Sequence, residues 1–208
     1  MHSTMFQPSD RSSAIPHSSI YSMYHANASS SKPLPSVLID FIAIALCEVI
    51  PFRMIRRRSL QQLNPQIQPI QQAQSQSRLR RLPELVYFIH KVTYQAGINC
   101  RTALVALILL DRAKSSLPKN AVSSYDTSHR LLLGALLTAT KVLQGTMWAP
   151  ATPPLTNQRL CDICNGLFSL NDINQVERAF LKLIQYRCWV DDKDVNDYVI
   201  RHRSDFAL

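Results

Sequence analysis

Glycine is scarce in this chain, with only four in 208 residues, at positions 97, 134, 145 and 166. A loop that cradles phosphate groups needs several glycines close together, so nucleotide binding of that kind is excluded. Period-2 alternation of apolar and polar residues is also rare, which argues against a β-sandwich or an α/β sheet. Apolar runs are short and broken by Thr and Lys, whereas a bilayer span needs about 20 largely apolar residues. The sequence contains no HExxH and no GxSxG, and no pair of carboxylates has an obvious catalytic role. It has no secretory signal with a basic start and a small-residue cleavage site, so the Asn27-Ala28-Ser29 glycosylation pattern carries little meaning. The expected setting is intracellular and reducing, in the nucleus and/or the cytoplasm. The five cysteines, at 47, 100, 161, 164 and 188, are odd in number and lie mostly in apolar helical contexts. Cys161 and Cys164 form a CxxC, but zinc needs two more well-spaced ligands and none follows nearby, so no metal or other cofactor is expected.

Acidic residues are missing from 53 to 81, where seven arginines (53, 56, 57, 58, 78, 80 and 81) stand alone. Removing those seven from the formal net charge of +9 leaves +2, so the remainder is nearly neutral. The charge thus belongs to one Gln-rich, Pro-punctuated stretch that reads as a solvated insertion. Two basic clusters with a polar spacer fit a nuclear address. Arg56, Arg57 and Arg58 before Ser59 also suit a basophilic kinase, so these four are candidate targeting or phosphoregulation residues.

Long segments rich in Leu, Ala and Val make up the rest, and 46% of the chain is apolar, enough for one good core. The expected fold is all-α. Residues 1–33 read as a disordered tail. Residues 34–51 read as an N-terminal helix with Val37, Leu38, Phe41, Ile42, Ala45 and Val49 on its apolar face, ended by Pro51. The insertion occupies 52–81. Pro83 opens the next helix, which Gly97 closes, and Asn99 caps a helix whose ALVALILL run is apolar almost all round.

The central element is Asp126 to Gly145, apolar or small on nearly every side. Asp126 or Thr127 is placed to cap its start and Gly145 to end it. Gly134, Ala135, Thr138 and Ala139 are small enough for neighbouring helices to approach its backbone. A short helix from about Asn157 ends at Gly166, and Ser169 with Asp172 forms a capping box for a helix with Ile173, Val176, Phe180, Leu183 and Ile184 inward. Asp191 and Asp192 cap a last helix to about His202. The histidines at 90 and 129 read as structural, and the acids at 191, 192, 194 and 197 as complements to a helix N-terminus. Lys141, near the end of the central helix, is explained equally well by the helix's negative pole or by a functional role.

TSHRLLLGALLTATKVLQ followed by LCDICNGLFSLNDINQVERAFLKLIQYRCWVDD resembles the cyclin box of the fungal PCL/PHO-type cyclins. The most specific pieces are His129-Arg130, Ala139-Thr140-Lys141, and Asp172-Ile173-Asn174 before Glu177. The resemblance implies a cyclin fold: a five-helix cyclin box over 82–190, with a flanking helix at 34–51 and another at 191–208, and no second box. It implies no catalysis in this chain but a regulatory subunit that binds and activates a PHO-type cyclin-dependent Ser/Thr kinase and helps select its protein substrates in cell-cycle, morphogenetic or nutrient control. Carried over residue by residue, Lys141 and Glu177 match the lysine and glutamate with which cyclins engage the kinase. Thr138, Leu181 and Tyr186 match neighbouring kinase contacts. Thr138 and Tyr186 depart from the aliphatic residue and Phe of cell-cycle cyclins, which implies a partner surface of different shape. The alternative reading is a cyclin-fold transcription or nucleic-acid-binding scaffold that uses the basic insertion; a membrane partner is not expected.

Overall fold

The computed structural model describes residues 33–49, 82–118, 121, 123–149 and 153–206, and all regular structure among them is helical. In chain order the helices are α1 (Ser36–Val49), α2 (Leu85–Ala96), α3 (Cys100–Ser116), α4 (Thr127–Leu143), α5 (Asn157–Cys164), α6 (Leu170–Leu183), α7 (Asp192–Arg201) and α8 (Arg203–Phe206). Helices α2 to α6 make a five-helix cyclin-box arrangement, with α1 before it in the chain and α7 and α8 after it. The expected tail and the Arg/Gln-rich insertion lie outside the described residues.

Most helix ends follow from local chemistry. Gly97 takes φ 68° after α2, a conformation that costs a side-chain-bearing residue about 1 kcal/mol or more. The Asn99 side chain accepts the Thr102 N–H at 2.8 Å and starts α3. Ser169 and Asp172 form a reciprocal capping box on α6, and Asp191 and Asp194 form another on α7. The start of α4 differs from expectation, because neither Asp126 nor Thr127 caps it. Asp126 instead accepts from Arg130 Nε at 2.5 Å and from Ser124 Oγ at 2.7 Å, while Thr127 Oγ1 accepts the Ser124 N–H at 2.8 Å. These polar side chains bind one another and the preceding turn rather than the helix's free N–H groups. At the other end, Gly145 adopts φ 83° as expected, just past Gln144.

Packing explains the long apolar runs. Every residue from Arg101 to Leu110 of α3 and from Leu131 to Thr140 of α4 is buried. Helix α4 packs most extensively between α3 and α6, with α1, α2 and α5 completing its cover. The crossing of α4 and α6 is very close at one point. A Cβ added to Gly134 would lie 2.7 Å from Phe180 Cβ and 2.9 Å from its Cγ.

On α1 the buried residues are Leu38, Ile39, Ile42, Leu46 and Val49. The expected face is therefore rotated, since Val37, Phe41 and Ala45 are only partly covered. The cause is a second neighbour: the Phe41 ring packs edge-on at 4.8 Å from Phe206 and 5.2 Å from His202, so α1 serves the core on one side and α7–α8 on the other. Short helix α8 had no signal in the apolar periodicity.

Two buried polar residues tie this framework together. Arg101, on the first turn of α3, pairs with Asp192 on α7 and lies 4.7 Å over the Trp148 ring. His129 packs 4.8 Å from Phe88, and its Nε2–H donates to the Pro83 carbonyl at 3.0 Å, which fixes the approach to α2. Its Nδ1 is buried with no hydrogen-bond partner, consistent with a neutral ring. Burial lowers the affinity of His129 for a proton, and the Pro83 bond and the Asp126 charge oppose this only in part.

Two outcomes follow for stability. Gly134→Ala will destabilise the chain by about 1–3 kcal/mol through overpacking against Phe180, instead of gaining the ~1 kcal/mol alanine brings to an open helix; urea denaturation measures it. His129 is held below its ordinary value of 6.5, so its contribution is complete above that pH. It is lost as pH falls toward the folded-state value, because the unfolded chain takes up the proton first. A His129→Gln chain will lose less stability than wild type between pH 7.5 and 5, read by thermal melts at each pH.

Candidate functional site

The α4–α6 crossing leads directly to a polar surface patch. Lys141 stands on the last turn of α4, where the helix's negative pole favours a cation. It is more exposed than a residue at the end of a buried helix suggests, with 41% of its side chain accessible. Its Nζ donates to Glu177 Oε1 of α6 at 2.5 Å and to Asn157 Oδ1 at 2.9 Å. Asn157, the first residue of α5, donates from Nδ2 to Glu177 Oε2 at 2.7 Å and to Asn174 Oδ1 at 2.8 Å. Asn174 lies one turn before Glu177 on α6, so three helices contribute to one hydrogen-bonded cluster.

Partial burial pushes the Glu177 carboxyl up, but the bonds from Lys141 and Asn157 and the charges of Lys141 and Arg178 together outweigh it and hold the group below its ordinary value. A carboxylate kept ionised, with one donor on each oxygen and acceptor capacity left over, is poorly suited to proton transfer and well suited to orienting a cation.

The other expected contact positions are distributed around it. Leu181, one turn after Glu177, is half-buried. Thr138, one turn before Lys141, is buried at 3% exposure, and its hydroxyl has no hydrogen-bond partner. It therefore lies beneath the patch rather than on it. Tyr186 is 66% exposed. Gln185 and Tyr186 have φ of 54° and 56°, two consecutive left-handed residues without glycine, a strain of about 1–2 kcal/mol each. The Tyr186 N–H bonds back to the Leu181 carbonyl at 2.8 Å, closing the end of α6. Beyond it, Arg112 of α3 donates to the carbonyls of Arg187 at 2.9 Å and Trp189 at 2.6 Å, and pairs with Asp194 at 3.1 Å. This clamp fixes the segment that follows Tyr186. Arg56, Arg57, Arg58 and Ser59 lie outside the described residues.

Asn157 and Asn174 were not recognised from sequence as site residues. The available signal was spacing: Asn174 sits at i−3 from Glu177, on the same helical face. Nothing local indicated that Asn157 would reach that face from another helix. Cys161 and Cys164 are free thiols, and burial, then the neighbouring Cys161, pushes the Cys164 thiol up to about 12. Among the described residues, no group of three or more His, Cys, Asp or Glu side chains is placed to hold a metal ion, and no helix is long and apolar enough to cross a membrane.

This helical arrangement is that of a cyclin-type domain, and comparison of sequences agrees. The profile described as "Cyclin, N-terminal domain" matches residues 51–188, so the chain belongs to that family. Among curated proteins of Saccharomyces cerevisiae, the chain is similar to PHO85 cyclin-9, with 25% identity over 169 residues that cover 81% of the chain and 47% of the relative. It is likewise similar to PHO85 cyclin-1, 31% identical over 120 residues (58% of the chain, 40% of the relative), and to PHO85 cyclin-2, 26% identical over 113 residues (54% and 34%). The chain thus spans less than half the length of each of these relatives. No solved structure gives a significant match.

Because the Lys141–Glu177 pair is partly exposed, its contribution to folding is expected to be small, about 0–1 kcal/mol. Lys141→Ala will leave the urea midpoint almost unchanged. In the same variant the Glu177 carboxyl, followed by NMR, will titrate at higher pH than in wild type.

Proposed function

We propose that the chain is the regulatory subunit of a PHO-type cyclin-dependent Ser/Thr kinase, bound as a heterodimer, and that the Lys141–Glu177 patch is its kinase-facing surface. One observation carries the reading. In a member of the cyclin family, the lysine of α4 and the glutamate of α6 meet at the surface in a cluster already formed without a partner. The similarity to three proteins named as PHO85 cyclins supports the PHO-type partner.

The mechanism is activation without catalysis by this chain. A protein kinase positions ATP through a lysine–glutamate pair, and the glutamate is carried on a mobile helix. A cyclin that binds the inward position of that helix more tightly than the outward one shifts the population toward the active kinase. Lys141 and Glu177 present a donor and an acceptor at fixed separation for the backbone of the kinase helix, while Leu181 and Tyr186 add apolar contact beside them. Substrate selection among Ser/Thr-Pro proteins, in cell-cycle, morphogenetic or nutrient control, belongs to surfaces outside this patch.

Co-purification with a PHO-type kinase, followed by phosphate transfer to a Ser-Pro peptide, tests the proposal. Wild type is expected to form an active complex. The double variant Lys141→Ala, Glu177→Ala will remain folded and lose both binding and activation. If neither chain binds such a kinase while nucleic acid stays bound through the arginines at 53–81 and is released steeply by salt, the scaffold reading replaces this one.

A further inference from the structure

We infer that Asn157 is the positioning residue of the α4–α6 face: a single amide on α5 that holds Lys141 and Glu177 in one fixed arrangement before any partner arrives. An asparagine side chain has one acceptor oxygen and an NH2 group with two donor hydrogens. All are committed here. The oxygen accepts from Lys141 Nζ at 2.9 Å, and the two hydrogens go to Glu177 Oε2 at 2.7 Å and Asn174 Oδ1 at 2.8 Å. Asn157 therefore has no donor left for a partner, and its role is orientation rather than contact.

Lys141 differs in this respect, since an ammonium has three donor hydrogens and two are in use. The remaining one points the recognition chemistry toward an acceptor on the partner, such as a backbone carbonyl. A free lysine side chain has about 2 kcal/mol of rotamer entropy to lose when it is immobilised. Fixing it in the unbound chain lowers what must be lost on association, which is the advantage of preorganisation.

The same amide couples the face to more distant structure. Thr156 caps α5 by accepting the Arg159 N–H at 3.1 Å, and Arg159 Nη2 reaches the Gln95 carbonyl at the end of α2 at 3.3 Å. The position of α5, and with it Asn157, is thus set jointly by α2 and α6. Neither aspartate nor alanine reproduces the arrangement. Aspartate supplies no donor and adds a negative charge against Glu177, and alanine supplies nothing.

The assignment rests on the proposed kinase-facing role only for its binding half, and the test separates the two. Full-length wild type, Asn157→Ala and Asn157→Asp are compared by melting temperature, by NMR titration of the Glu177 carboxyl without a partner, and by kinase affinity at pH 7.5 and 5.5. Asn157→Ala is expected to melt close to wild type, to titrate Glu177 at higher pH, and to bind kinase about tenfold more weakly, the loss of roughly one preorganised side chain. Asn157→Asp is expected to bind more weakly still at pH 7.5 and to regain affinity at pH 5.5, as one of two adjacent carboxylates takes up a proton. A merely structural role would give a loss independent of pH. An unchanged Glu177 titration in Asn157→Ala overturns the inference, as does equal weakening of both variants at both pH values. If wild type binds no kinase, the proposed function fails, and the Glu177 titration alone still decides whether Asn157 positions the pair.

Discussion

The close crossing of α4 and α6 is the constraint from which the Lys141–Glu177 cluster follows. At Gly134 the two backbones approach so nearly that even a methyl group would collide with Phe180 Cβ, 2.7 Å away. Small residues at Gly134, Ala135 and Ala139 allow α4 to be enclosed by its neighbours, and the leucines between them fill the space. Two turns beyond Gly134 is Lys141, and one turn before Phe180 is Glu177. Their meeting at 2.5 Å is a consequence of where the helices cross. A wider crossing would separate the pair without changing either residue.

The apolar core and the polar surface cluster occupy different parts of the molecule. The enclosed segments of α3 and α4 supply the apolar burial, and the buried polar groups Arg101 and His129 fix how α7 and the approach to α2 join that core. The surface cluster adds little to folding, because its charges are partly solvated. Past the end of α6, the left-handed turn at Gln185–Tyr186 leaves an aromatic side chain exposed, and Arg112 binds the carbonyls of the segment that follows it.

How much of this the sequence disclosed depends on whether the determining contacts are local. Capping at Asn99, Ser169 and Asp191 was legible because donor and acceptor lie within three residues of each other. Gly97 and Gly145 were legible because left-handed backbone strongly favours glycine. The enclosed α4 was legible from small and apolar residues on every side. At Asp126, competing partners within four residues defeated a simple capping rule. The rotated face of α1 depends on Phe41 meeting Phe206 across 165 positions of sequence, which no periodicity encodes. Lys141 and Glu177 were singled out through family resemblance, whereas Asn157 joins them only in the fold, since it reaches two other helices at once.

Photo-crosslinking from single positions tests the central claim most directly. A photoreactive amino acid is placed at Tyr186, exposed just past the end of α6, or at Ile44, an exposed apolar residue on α1. Each chain is irradiated with a PHO-type kinase. Attachment to the kinase's mobile helix region from position 186, and none from position 44, is the predicted result. Attachment from position 44 alone would place the kinase on the α1 flank and contradict the account.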